Sequence, residues 1–133
     1  RCYMIRGFVP AAPLKVSHTS ITARKPSKEA PPRDDGVYRI HEKDMENKTI
    51  YCVHILETPM HPRDNFYHKW LREGKAVKRK SLRKVRLREG RYLIWASIKH
   101  TETGMLHLDG AWDVRLFTEA GQILKKRSFL VVR

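Results

Sequence analysis

The chain has 133 residues, 41% hydrophobic and 32% charged, enough for one domain with its own core. Its 28 Lys and Arg against 14 Asp and Glu give a formal net charge of +14, which favours anionic partners and says nothing about fold. Two cysteines are too few for a disulfide framework or a typical zinc site, and no run reaches the roughly 18 apolar residues of a membrane-spanning helix.

In chain order, residues 1–13 are apolar without a period and predict an N-terminal arm that packs on the domain or on a partner. Residues 14–133 read as a single domain. The three prolines and many charges of 24–36 make a loop, because proline lacks the ladder donor. The polar 42–48 stretch reads as a second loop with room for one helical turn. Residues 49–57 are β-branched and apolar, the signature of a strand. In 66–71, Phe66, His68 and Trp70 alternate onto one face.

Residues 76–87 read as one strand in a field of cations. Its apolar parity changes between Val77 and Val85, which predicts a bulge. Residues 92–99 form a strand, 100–110 a loop, and 111–118 a strand with Trp112, Val114 and Leu116 inward. The last strand is 123–132. Gly-bearing turns at 72–75, 88–91 and 119–122 separate these segments. The pattern predicts an all-β, antiparallel sandwich, immunoglobulin-like in the loose sense, without the Cys–Trp–Cys spacing of antibody domains.

The C-terminal half carries an ordered set of residues: His68 and Trp70; Gly74 and Val77; Trp95, Ser97 and Lys99; Gly110, Trp112 and Val114; Gly121 and Leu124; Phe129 and Val131. In this order they resemble the bacterial family catalogued as domain of unknown function 2914. The resemblance covers about residues 14–133 and is specific mainly over 66–133. It implies a small β-sandwich module, outside the inner membrane behind an anchor or linker, with no assigned activity. This chain departs from that family in being more basic and in its long charged 24–48 region.

The residues offer little for catalysis. His68 beside Trp70 reads as a half-buried histidine next to a core tryptophan, with a ligand or acid–base role as the sharper alternative. The remaining histidines, His54 among them, read mostly as loop residues, and three convergent zinc ligands cannot be assembled. Cys52 reads as a small hydrophobe inside a strand. Cys2 and Cys52 leave both a disulfide and two free thiols open. Ser97 lacks a nucleophile elbow. No phosphate-binding or dinucleotide glycine pattern occurs. Neither enzyme activity, a metal nor a cofactor is expected. Trp70 and Trp112 read as core; Trp95 faces away from Tyr92, Ile94, Ala96 and Ile98, and when exposed would pack on Arg stems.

The cations Lys78, Arg79, Lys80, Arg83, Lys84, Arg86, Lys125, Lys126 and Arg127 read as a basic partner-binding surface. Alternation forbids all of them one face, and no aromatic residue interrupts 77–91. Edge-strand protection explains part of the cluster, yet +14 exceeds the roughly 2–8 that solubility asks of a small domain. The chain therefore reads as a non-catalytic interaction or accessory module of a bacterial envelope assembly, on the periplasmic side. It would meet protein partners or an anionic surface. The alternative is a basic, nucleic-acid-associated accessory subunit.

Overall fold

The computed structural model describes residues 14–28, 39–59 and 65–133; the expected arm at 1–13 lies outside them. Nine strands and one short helix follow in order: β1 Lys15–Thr22, β2 Arg39–His41, β3 Thr49–Glu57, β4 Phe66–Arg72, β5 Lys75–Ser81, β6 Arg83–Arg88, β7 Arg91–Lys99, α1 His100–Thr103, β8 Gly110–Thr118 and β9 Ile123–Val132. They form two sheets packed as a sandwich. The four-stranded sheet runs β1-β3-β7-β6 and is antiparallel throughout. The five-stranded sheet runs β2-β9-β8-β4-β5 and is mixed, because β2 pairs parallel to β9.

Several expectations need correction. The antiparallel rule fails at β2, a three-residue strand too short to show a period. The 42–48 loop holds two 3-10 turns, Glu42–Asp44 and Glu46–Lys48, and the 100–110 loop opens with α1. The single strand expected over 76–87 is two strands in different sheets. Leu82 carries the chain between them: its N–H donates to the Phe66 carbonyl at 3.0 Å, and its side chain packs among Leu56, Phe66, Tyr92, Ile94 and Leu116. The parity change between Val77 and Val85 marks this change of sheet.

Alternation sends one face of each strand inward, where two apolar clusters form. The larger joins Ile21, Ile50, Cys52, Trp70, Ile98, Trp112, Val114, Phe129 and Val131 with Ile40, Met45 and Leu108. Its rings pack edge-on, Trp70 to Trp112 at 6.3 Å and Trp70 to Phe129 at 6.5 Å, with Trp112 stacked on Phe129. The smaller joins Leu56, Phe66, Tyr92, Ile94 and Leu116. A third apolar group, Val53, Ile55 and Leu93, lies on the opposite face of the four-stranded sheet.

The β4–β5 hairpin turns on two residues, Glu73 (φ 50°) and Gly74 (φ 80°). Positive φ at both positions matches the right-handed twist of the strands. Glu73 also exchanges bonds with Ala111: its N–H donates to the Ala111 carbonyl, and its Oε1 accepts from the Ala111 N–H, both at 2.8 Å. Gly110 sits beneath this clasp at φ 132°, where a Cβ would lie 2.8 Å from Glu73 Oε1 and 3.1 Å from Arg72 Nε. The expected outcome of Gly110→Ala is a loss of about 1–3 kcal/mol of stability. It is read from the urea midpoint, whereas Gly121→Ala, with open space around its Cβ, carries the backbone strain alone and loses less.

Candidate functional site

A polar layer divides the two inward-facing clusters. Along β3 the inward residues are Ile50, Cys52, His54 and Leu56; along β4 they are Phe66, His68 and Trp70. His54 and His68 thus fall between the clusters, one from each sheet. Thr19 of β1, paired with His54, and Arg127 of β9, paired with Val114, complete the layer; all four are buried. The two imidazoles meet with Nε2 to Nε2 at 2.8 Å and ring centroids 5.0 Å apart. His54 Nδ1 lies 2.9 Å from Thr19 Oγ1, and Cys52 Sγ lies 3.5 Å from His54 Nε2. Arg127 Nη1 donates to the Thr19 carbonyl at 3.4 Å.

Burial dominates the chemistry of this layer. It drives the His54 pKa from 6.5 down to about 3, assisted by the positive charges of Lys125 and Arg127. His68 also falls well below 6.5, through burial and the neighbouring His54. Both rings are therefore neutral at pH 7. Burial likewise pushes the Cys52 thiol upward, and Arg127 offsets part of that rise. Two neutral imidazoles that face each other through Nε2 share one proton in that contact. His68 Nδ1 has no hydrogen-bond partner among the described residues, although a buried polar atom without one is costly.

The second candidate lies on the outer face of the five-stranded sheet. Lys69 is paired with Arg79 of β5 on one side and Arg115 of β8 on the other, and Arg115 is paired with Lys126 of β9. Four cations therefore stand in one cross-strand row, about 14 Å long at the usual strand spacing. None of the four takes part in a salt bridge among the described residues. Beside the row, Tyr67 and Phe117 stack at 6.1 Å, and the Arg79 guanidinium lies 4.2 Å from the Tyr67 ring centre.

The nine cations read as partner-binding are dispersed. Arg79 and Lys126 lie in the row. Lys78 and Lys80 occupy the inward column of β5 at the sheet edge, where Lys80 Nζ holds Glu102 at 2.8 Å. Burial tends to raise the Glu102 pKa, but hydrogen bonds from Lys80 and the Lys99 backbone lower it on balance. Arg83 faces out from the other sheet, 5.6 Å from the Trp95 ring centre, and Lys84 turns toward the Phe66 ring. Arg86 is exposed on the β6 edge. Lys125 is half-buried, and Arg127, at 9% exposure, is a core residue. Its side chain shares the inward parity of Phe129 and Val131.

Of the family-pattern residues, His68, Trp70, Trp112, Val114 and Phe129 are buried. Trp95 and Ser97 lie half-buried on the outer face, and Gly121 is an exposed turn residue. The reading of the remaining histidines as mostly loop residues fails for His18 in β1, His41 in β2 and His54 in β3. The signal for the buried cluster was a C-x-H spacing within a strand, which puts Cys52 and His54 on one face. Lys69 and Arg115 were also missed as surface partners; only the strand register aligns them.

Residues 63–131 match the family described as "Protein of unknown function (DUF2914)". The match includes His68 and the whole cation row, while Thr19, Cys52 and His54 precede it. No curated protein matches the chain.

Neutral buried histidines make stability depend on pH in a defined direction. The unfolded chain takes up protons near pH 6.5, while the folded chain leaves His54 and His68 neutral to far lower values. Stability is therefore full above pH 6.5 and falls as pH drops toward about 3, by up to about 1.4 kcal/mol per pH unit for each histidine. The urea midpoint followed by tryptophan fluorescence should fall between pH 7 and 4.5. In His68→Gln the slope over that window should be about half that of the parent.

Proposed function

The chain belongs to the DUF2914 family of proteins of unknown function, and from that premise we propose a non-catalytic docking module that receives an acidic protein segment on its five-stranded sheet. The observation that carries this reading is the row Arg79–Lys69–Arg115–Lys126. Like charges directly opposite across strands are destabilising by tenths of a kcal/mol to about 1 kcal/mol. A face that keeps four in register is spending stability on something other than folding, and an anionic partner relieves the repulsion. The two histidines with strongly lowered pKa are sealed in the core, away from any substrate, which supports a binding role over a catalytic one.

The wider reading rests on what the family resemblance implies. The sandwich, immunoglobulin-like in the loose sense, serves as an accessory unit of a bacterial envelope assembly on the periplasmic side. Nucleic acid is the second reading, favoured by the aromatic pair beside the row. It is the weaker one because Tyr67 and Phe117 turn their rings toward each other and Arg79 covers Tyr67, leaving less ring surface for bases.

Fluorescence anisotropy with labelled poly-glutamate and with single-stranded RNA of matched charge tests both readings across a salt series. Poly-glutamate is expected to bind at least as tightly as the RNA. The triple variant Lys69→Glu, Arg115→Glu, Lys126→Glu should weaken it by about tenfold or more. Preferential RNA binding with a counterion-release slope would move the assignment to the second reading. In low salt, Lys69→Gln alone should raise stability by about 0.5 kcal/mol while lowering affinity.

A further inference from the structure

We propose that Cys52, His54 and His68 form a buried site for a monovalent soft metal ion, Cu(I). The three donors come from both sheets, and their ligand atoms all lie within 4.8 Å of one another. A trigonal centre with bonds of about 2.05 Å to nitrogen and 2.3 Å to sulfur places its nitrogens about 3.5 Å apart and nitrogen and sulfur about 3.8 Å apart. The Cys52–His54 separation of 3.5 Å is already close to that spacing. The two Nε2 atoms, at 2.8 Å, have to part by about 0.7 Å.

The ring free to make that adjustment is identifiable. Thr19 Oγ1 fixes His54 through Nδ1, the outer-shell hydrogen bond that orients a ligating imidazole. His68 carries no such tether at Nδ1 among the described residues. It is bounded by the edge-on rings of His54 and Trp70 at 5.0 and 5.6 Å. A metal between the two Nε2 atoms takes both lone pairs and replaces a contact in which only one ring can donate.

Charge selects the ion. Thiolate and imidazole together suit copper and zinc. Binding displaces the Cys52 thiol proton to solvent, so Cu(I) with one thiolate leaves the centre neutral. Zn(II) would leave it at +1, in a dry core that already holds Arg127 and feels Lys125, where an uncompensated charge is costly. The site is independent of the cation row, which faces the other side of the sheet.

The test uses the full chain, anaerobic and reduced, both as folded and after refolding with Cu(I), in competition with a chromophoric Cu(I) chelator. One equivalent of Cu(I) should be retained, and X-ray absorption should show one sulfur and two imidazole nitrogens. Cys2→Ser should bind like the parent, whereas Cys52→Ser and His68→Gln should each bind at least tenfold more weakly, with folding checked by circular dichroism. Sulfur-free copper, equal binding by all variants, preferential uptake of Zn(II), or no retention by either preparation would overturn the assignment. Because X-ray absorption reads the parent chain, it decides the matter even if a variant does not fold.

Discussion

Two imidazoles meet nitrogen to nitrogen in the middle of the sandwich, and the packing on either side is arranged around that contact. His54 comes from the four-stranded sheet and His68 from the five-stranded one, so their 2.8 Å approach fixes how closely the sheets lie there. Above and below, the side chains sort into two apolar clusters with no other polar layer of this kind between them among the described residues. An all-apolar interior of the same volume would be as stable or more so. A polar layer that is bonded from strand to strand instead fixes one register, because a one-residue slip would turn its members to the opposite face and break those bonds.

The second organising element is the crossing at Leu82. It places β5 at the edge of one sheet and β6 at the edge of the other, closing one side of the sandwich with a single residue. The most cationic part of the chain is thereby split between two sheets. Its Lys and Arg protect two open edges from pairing with other chains, and only Arg79 joins the outward row. The outward cation row is assembled chiefly by β4, β8 and β9, each contributing one cation. Charge clustering in the sequence and charge clustering in space are therefore different things in this protein.

What could be read from the residues followed this division. The longer strands after residue 48 declare themselves by alternation, since Trp112, Val114 and Leu116 or Phe66, His68 and Trp70 can share a face in only one way. The crossing did not, because a bulge and a change of sheet leave the same parity break. β2 was invisible at three residues. Cys52-x-His54 and His68-x-Trp70 were each legible as same-face pairs, but which strands oppose one another across a sandwich is not written in either. Arg127 was misread on its charge, although its parity with Phe129 and Val131 put it inside. Its burial follows from that parity and from the Thr19 carbonyl that receives it.

The parallel pairing of β2 with β9 joins two strands far apart in the sequence: Arg39 lies opposite Leu130 and His41 opposite Val132. A ribosome releases β2 long before its neighbour exists. Until the final strand has emerged, β8 presents an unpaired margin and β2 has no sheet to join. β9 thus acts as the closing seam, and without it the five-stranded layer would be open on that side. Such long-range closure belongs to slow-folding topologies, so the interval between synthesis and seam is when this chain most needs protection from its neighbours.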